Sequence, residues 1–424
     1  MNIKKNSMKL RYFSYILVLF LGISNCISYN HFGRPYPVHN FPVDSYEYDN
    51  KKSTYGNKER LEAVYKFAPV IRHGAKPCWW RVHNKDEASR HNFITKFDYD
   101  KDKRCNNNKN NLMKKLENGN YYDLEATVYY SIIETETHRF ITYHFYHAID
   151  RSTYFPNLLW CLNLSHENDG ENIQAVIRKS DPDDYIEFLA IESHNNTKIN
   201  TAEYFDDLPI KIGKKINKKV KLVKYNKLNP ICERLDNKTD RFSWKENIGK
   251  YSHPAIFIKS GKHSVTIDNS GKDRGDDIFF YPPISPNSKN RYPTIWKNKD
   301  CKRYEYILKP IRKTLWSMYI HNRHLGNDGV MDGYFRFPGE ERGVIYEKIP
   351  RHYSGNYIAC VFLGFKSNAG ILPFAFDLPG KLIKKGRLFF DPASNYRKYL
   401  KIDSKTSNWS EKYTYNPYLP KAIW

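Results

Sequence analysis

The segment Ser165-His-Glu-Asn-Asp-Gly-Glu171 combines residue types that can bind a cation. In a turn that leads into a strand, Asp169 and Glu171 share one face because side chains repeat every two residues, and the turn can fold His166 over that face. One imidazole and two carboxylates then converge. This mixed nitrogen and oxygen set suits a hard or borderline divalent cation, calcium or magnesium in preference to zinc. The alternative stays open that Asn168-Asp-Gly170 is an ordinary hairpin turn.

Three further side chains could support the same pocket. His194 and His263 each follow a predicted strand, and Glu167 adjoins His166. A histidine in such a position can equally be a hydrogen-bonded structural residue. The sequence has no G-x-S-x-G, H-E-x-x-H, P-loop or G-x-G-x-x-G motif, so it indicates none of the enzyme classes recognised by those motifs.

The elements that must position these residues are predicted to be short strands. Runs rich in β-branched and aromatic residues predict the strands, and the polar link from Glu134 to Arg139 predicts a hairpin. Pro69 places the first strand at a sheet edge, and one helix is predicted over Tyr304–His321. Short strands without βαβ alternation predict a mainly β sandwich or barrel. The predicted strands are Lys66–Ile71, Thr127–Ile133, Phe140–Tyr146, Glu171–Arg178, Tyr185–Glu192 and Ala255–Ile258.

The composition supports a folded, aromatic-rich β protein with a strong positive charge. The 424 residues include 34 Tyr and 24 Phe but only 5 Met, and 40% are hydrophobic. That apolar content excludes disorder of the whole chain, and the aromatic content favours strands over a helical bundle. The 69 Lys and Arg outnumber the 46 Asp and Glu, which gives a formal net charge of +23.

The first 28 residues have the pattern of a secretory signal. Basic residues precede the apolar run Tyr12–Ile23, and small or polar residues follow it. The run is shorter than the roughly 20 residues of a membrane span, although an uncleaved anchor is the alternative. We expect a secreted or secretory-organelle protein with no transmembrane span in the mature chain. The expected organisation is a signal peptide over 1–28, a polar arm over 29–60, a β-sandwich core over 61–300 and a β-rich C-terminal extension over 301–424 packed on the same domain.

Cysteine usage fits an oxidising compartment. Six cysteines remain after the predicted signal, an even number that allows up to three disulfides without specifying their pairing. They are Cys78, Cys105, Cys161, Cys232, Cys301 and Cys360.

A lysine-rich stretch from Lys211 to Lys227 contains eight lysines. It reads either as a solvated loop or β-ribbon, or as a contact for acidic lipid or another polyanion. Nucleic acid is not expected as a partner, since no recognised module accompanies the charge and the chain is predicted to be secreted. The candidate contact residues are Lys214, Lys215, Lys218, Lys219 and Lys221.

The pattern His166-x-x-Asp169-x-Glu171 resembles two known boxes. One is the Gly-His-Arg-His-Asp-Trp-Glu heptapeptide of the necrosis- and ethylene-inducing peptide-like proteins, and the other is the His-Glu-Gly-Asp-Trp-Glu box of the vacuolar protein sorting sixty-two family. Lys66-Phe-Ala-Pro-Val70 and the stretch from His253 to His263 also resemble elements of the second family. Gly170 departs from both, since each has Trp there.

The resemblance implies an antiparallel β-sandwich with loop insertions, a few short helices and a surface cation pocket. By carry-over the ligands would be His166, Asp169 and Glu171, with Asp150 as the nearest candidate for a further Asp. The necrosis-inducing family uses such a pocket to dock on sphingolipid sugar head groups and then damages the membrane.

Two functions follow as hypotheses. The first is a secreted, cation-dependent binding protein that acts at a cell surface, membrane lipid or glycan and could damage the membrane. The alternative is a metal-assisted secreted hydrolase with His194 or His263 as general base.

Overall fold

The computed structural model describes the chain in segments that together form a mainly β protein, as predicted. The described residues are 58–74, 93–97, 99, 124–150, 166–180, 184–193, 196–202, 219–220, 222–224, 252–260, 263–268, 277–283, 303–316, 335–336, 346–347, 376–379, 386–403 and 407–419.

Among the described elements, one helix precedes the strands and two helices precede the last strand. In chain order the elements are α1 (Lys58–Lys66), β1 (Val70–His73), β2 (Thr127–Thr135), β3 (His138–Asp150), β4 (His166–Arg178), β5 (Tyr185–Ser193), β6 (Asn196–Ala202), β7 (Lys219–Val220), β8 (Leu222–Lys224), β9 (Ser252–Ile258), β10 (Val265–Ile267), β11 (Ile278–Tyr281), β12 (Arg303–Glu305), β13 (Ile307–Pro310), a 3₁₀ turn (Ile311–Lys313), β14 (Phe335–Arg336), β15 (Tyr346–Glu347), α2 (Arg387–Phe390), α3 (Pro392–Leu400) and β16 (Tyr413–Tyr415).

The strands form two mixed sheets and a small separate pair. In the eight-stranded sheet the order is β13-β2-β3-β4-β5-β6-β7, and β16 also pairs with β2. In the six-stranded sheet the order is β10-β9-β1-β11-β12, and β8 also pairs with β9. The predicted hairpin is present, because β2 and β3 pair antiparallel up to Glu134 and Arg139. Most strand pairs of the eight-stranded sheet are antiparallel, but β13 runs parallel to β2. In the six-stranded sheet, β1 runs parallel to β9.

The inner faces of the two sheets pack against each other to form one core. Ile71 and Ile256 of the small sheet lie in the same buried cluster as Tyr143, Phe145 and Ile173 of the large sheet. Side chains alternate along a strand, so this cluster takes every second residue of β3 and β4. The arrangement is the sandwich that the strand pattern predicted.

The outer face of the large sheet is covered as well. Phe140, Val176 and Phe188 point into a second cluster that contains Phe389 of α2 and Tyr396 of α3. All nine residues of β2 are buried for this reason. A strand buried on both faces reads as a continuous apolar run rather than as an alternating one.

Two local predictions are wrong. In the segment predicted as a helix over Tyr304–His321, the described residues 304–313 instead form β12, β13 and the 3₁₀ turn, because pairing with β11 and β2 outweighs the helical pattern. The predicted edge strand at Pro69 lies inside the small sheet. Pro69 precedes β1, whose own residues pair with β9 on one side and β11 on the other.

Several predictions fall outside the described residues. These are the signal peptide and nearly all of the polar arm, all six cysteines proposed for disulfides, and His194. Among the described helices, none is long and apolar enough to cross a membrane.

Candidate metal centre

His73 is the last residue of β1 and lies at the end of the small sheet. Its neighbour Arg72 is held by buried ion pairs, with Nε 2.7 Å from Asp268 Oδ2 and Nη1 2.5 Å from Asp277 Oδ2. Gly74 follows, and its N–H donates to Ile258 O at 2.8 Å. A Cβ at Gly74 would lie 3.1 Å from Ser260 N, so glycine permits the close approach of β1 to the end of β9.

His147 comes from the large sheet, where β3 and β4 pair in one register. His147 lies opposite Asp169, and Phe145 lies opposite Glu171. Paired residues on antiparallel strands share a face. Asp169 and Glu171 are both buried, on the face that carries the core residue Ile173. The pairing therefore brings an imidazole and two carboxylates to the inner face of the large sheet.

His263 lies in the turn between β9 and β10. Its φ of 47° is in the left-handed region, which is uncommon for a residue other than glycine and often marks a functional site. The turn is closed by Lys259 N–H, which donates to Ser264 O at 3.1 Å. His263 Nδ1 lies 2.7 Å from Asp169 Oδ2, so the small-sheet turn is tied to the large sheet across the core.

The imidazoles of His73, His147 and His263 form one buried cluster. Each offers a nitrogen, and these three nitrogens lie within 4.8 Å of one another. The Nε2 atoms of His73 and His147 are 3.3 Å apart. The rings of His147 and His263 are stacked at 3.7 Å with 5° between their planes, whereas the ring of His73 is tilted by about 50° to both.

Hydrogen bonding settles the tautomers of two of the rings. His73 Nδ1–H donates to Gly74 O at 3.1 Å, and His263 Nδ1–H donates to the Asp169 carboxylate. The Nε2 atom of each therefore carries a lone pair. His263 Nε2 and His147 Nδ1 are buried and have no hydrogen-bond partner among the described residues.

Burial keeps the rings of His73 and His147 neutral. It lowers the pKa of His73 to about 3, helped by the neighbouring His263. Burial, together with His263 and His73, also lowers the pKa of His147 well below its usual value. Neutral imidazole is the form that binds metals. A buried nitrogen without a partner costs about 1–3 kcal/mol in the absence of an ion or water. The donor set thus fits a cation held between the sheets.

The residues predicted from the sequence are only partly brought together. Asp169, Glu171 and Phe145 share one face, and Asp169 contacts His263. The predicted turn before Asp169 is absent, because β4 runs without interruption from His166. The backbones of His166 and Asp150 pair with each other, and Glu167 pairs with Ile149, but the described part does not extend to their side chains. Of the candidate lysines only Lys219 lies in a described strand, β7, while Lys214, Lys215, Lys218 and Lys221 lie outside the described residues.

Sequence reasoning missed His73 and His147. His73 ends a strand that was predicted to stop at Ile71, and His147 lies one residue beyond a strand predicted to end at Tyr146. The available signal was the β3–β4 pairing. Extending both predicted strands in register would have set His147 opposite Asp169. No comparable local signal in the sequence predicts that His73 of the small sheet joins this site.

Comparison with known proteins adds little. No protein-family model matches this chain, and no curated protein matches it, so the resemblance to the vacuolar sorting family gains no support. Among solved structures the chain is similar to the non-toxic HaNLP3 protein, an NLP protein, with 14% identity and a TM-score of 0.20. The match covers 39% of this chain and 65% of that protein, just under two thirds of its length. At that TM-score the likeness carries no argument.

Proposed function

We propose that this protein is a secreted, cation-dependent binding protein that acts at a cell surface, on membrane lipid or glycan. The observation that carries the proposal is the cluster of His73, His147 and His263, whose nitrogens approach within 4.8 Å from both sheets. A cation bound there would join the two sheets at one end of the sandwich. Loss of the cation would then loosen that end of the molecule.

The lysine-rich stretch pairs with β9 at the end of that strand that lies away from the metal centre. The backbone of β8 pairs with β9 at Leu222–Pro254 and Lys224–Ser252, and β7 pairs with the outer strand β6 of the large sheet. From there β9 runs to Ile258 and into the turn that carries His263. β9 thus contacts the basic stretch at its start and leads to the metal centre at its other end.

The charge of the chain supplies the attraction to a membrane. Each well-placed Lys or Arg contributes about 1 kcal/mol near an anionic leaflet, and salt weakens this within a Debye length. The whole chain carries a formal net charge of +23. We infer that the basic stretch provides a salt-sensitive part of binding and that the metal centre provides a cation-sensitive part.

Vesicle sedimentation tests both parts. The vesicles contain phosphatidylcholine alone, with phosphatidylserine, or with a glycosylated sphingolipid. Binding to the charged or glycosylated vesicles should fall with salt and with replacement by Gln of Lys214, Lys215, Lys218, Lys219 and Lys221. Independently of salt, binding to these vesicles should also fall with chelator and with His147→Gln.

A matched variant controls for net charge. It replaces five exposed lysines elsewhere by Gln and should bind more tightly than the variant of the basic stretch. The replaced residues are Lys58, Lys198, Lys313, Lys398 and Lys401. Equal loss of vesicle binding in the two lysine variants would show that the attraction depends on overall charge and not on the basic stretch. Binding that ignores both chelator and His147→Gln would remove the cation from the function.

One observation keeps the hydrolase alternative in view. Three protein ligands leave a fourth coordination position, as catalytic zinc sites do. A bound metal would supply an activated water there. The burial of all three histidines opposes access by a substrate. Chelator-sensitive turnover of an ester or phosphodiester by purified protein, lost in His147→Gln, would favour the hydrolase.

A further inference from the structure

The donor atoms of the three-histidine cluster select the class of cation. Calcium and magnesium prefer oxygen ligands, whereas imidazole suits zinc and its neighbours among the divalent transition metals. We propose that His73, His147 and His263 bind a zinc-class transition metal, and that Asp169 positions His263 rather than binding the metal itself. The inference rests on the proposed function only in using the same centre, and it reverses our sequence-based preference for calcium or magnesium.

The separation of His73 and His147 fits that class. Two nitrogens bound at about 2.0–2.1 Å from a tetrahedral zinc stand about 3.3 Å apart. The observed Nε2–Nε2 distance is 3.3 Å. Without a metal, one of these two nitrogens must carry a hydrogen and donate it to the other. His73 Nε2 carries a lone pair because its Nδ1–H is bonded to Gly74 O, so His147 is the donor in the metal-free protein.

Asp169 has the contact expected of a residue that orients a metal ligand. Its carboxylate accepts the Nδ1–H of His263 at 2.7 Å, which leaves His263 Nε2 as the donor to a metal. Histidines that bind metals usually give their other ring hydrogen to a carboxylate or carbonyl in this way. His73 has the corresponding contact to the carbonyl of Gly74. Two of the three proposed ligands are therefore oriented before any metal arrives.

Binding requires a movement that can be observed. The rings of His147 and His263 are parallel and stacked at 3.7 Å, and a metal cannot lie in the planes of two parallel rings. One ring must rotate out of the stack when the metal binds. The side-chain nitrogens of His147 and His263 should therefore change their NMR shifts on zinc addition.

The experiment is metal titration of the purified full chain after chelation. Isothermal titration and thermal unfolding are followed with zinc, cobalt, calcium and magnesium. We expect one zinc per chain and a zinc-dependent rise in Tm, no rise with calcium or magnesium, and the visible spectrum of tetrahedral cobalt. His73→Gln, His147→Gln and His263→Gln should each abolish saturable one-to-one zinc binding. His253→Gln, a histidine of β9 bonded to Ala68 O outside the cluster, should bind zinc as the wild type does.

Asp169→Asn tests the positioning role. It keeps the shape of the side chain and should lower zinc affinity about 10–100-fold and shift the cobalt spectrum, while the Tm of the chelated variant stays close to wild type. A purely structural role would instead lower the chelated Tm and leave affinity unchanged.

Contrary results are equally clear. Saturable calcium binding that survives the three histidine variants and is lost in Asp169→Asn would replace this centre with a carboxylate site. Failure of every metal to bind the correctly folded chain would overturn the inference. Zinc binding without any vesicle binding would leave the inference standing and refute the proposed function. Calcium-dependent vesicle binding by a chain that binds no zinc would support the proposed function and refute the inference.

Discussion

His144 shows how a single buried imidazole couples three strands. It lies three residues before His147, so alternation along β3 places the two rings on opposite faces of the sheet. His144 Nδ1–H donates to Asn172 Oδ1 at 2.9 Å, and the Asn172 amide donates to Glu192 Oε2 at 2.8 Å. The chain of bonds runs across β3, β4 and β5. Burial lowers the pKa of His144 to about 4, against smaller opposing contributions from Asn172 and Asp169.

Acid should destabilise the fold partly through this residue. The unfolded chain takes up a proton on His144 below pH 6.5, whereas the folded chain does so only near pH 4. Stability is therefore lost as pH falls from about 6.5 toward 4, by about 1.4 kcal/mol per pH unit for this one proton. The free energy of unfolding of His144→Gln, measured with chelator by urea titration across this range, should depend less steeply on pH than that of the wild type. Identical slopes would show that the pKa of His144 is the same in the folded and the unfolded chain.

The C-terminal helices are the elements that complete the large sheet. Gln174 of β4 donates from its side-chain amide to Leu388 O of α2 at 2.9 Å. Trp409 Nε1–H donates to Ala393 O of α3 at 3.0 Å, and its ring lies 4.2 Å from His138. Pro392 begins α3, a position where the missing N–H of proline costs nothing. These contacts fix the helices against the outer face of β3–β5.

Leu388→Ala should therefore destabilise the outer layer. Leu388 is fully buried, and loss of such a side chain costs about 2–5 kcal/mol through lost transfer energy and the cavity left behind. Hydrogen exchange should rise along β3, β4 and β5 more than along β9 and β10. Lys398→Ala, at an exposed position of α3, is the matched control and should change stability little. A uniform rise across both sheets would show that the layers do not open separately.

The chain after residue 300 takes part in both sheets of the molecule. It supplies β12 to the small sheet, β13 and β16 to the large sheet, and α2 and α3 to the outer layer. The crossing occurs at Tyr306, whose N–H donates to Tyr281 O in the small sheet, and at Ile307, whose N–H donates to Ala126 O beside the large sheet. Tyr306 also donates its hydroxyl hydrogen to Pro69 O at 2.8 Å.

A chain that ends at residue 300 should not fold cooperatively. It would lose β13 and β16, which pair with β2, and β12, which pairs with β11. It would also uncover the apolar outer face of the large sheet, a surface that promotes aggregation. We expect no sigmoidal urea transition and strong binding of a hydrophobic dye. A chain that begins at residue 58, where α1 starts, is the control and should unfold cooperatively. A folded chain of residues 1–300 would make the C-terminal extension a separate domain.

Local pattern is enough to identify most of the strands around the site. The runs that form β2, β3, β4, β5 and β9 are dense in β-branched and aromatic residues, and strand preference for such side chains is a local property. The hairpin between β2 and β3 is recognisable for the same reason. Period-two alternation alone also predicts that Asp169 and Glu171 share one face. The sequence identifies His263 only as a histidine that follows a strand.

The metal centre itself depends on tertiary structure. His73 and Asp169 are separated by about a hundred residues of sequence, and they meet only because the two sheets pack face to face. The register of β3 against β4 decides that His147 lies opposite Asp169, since a shift of one residue would turn it to the other face. The first half of the helix predicted over Tyr304–His321 is wrong for a related reason, since residues 304–305 and 307–310 lie in strands. Strand partners supplied by β11 and β2, distant in sequence, determine the conformation there, and no local preference contains that information.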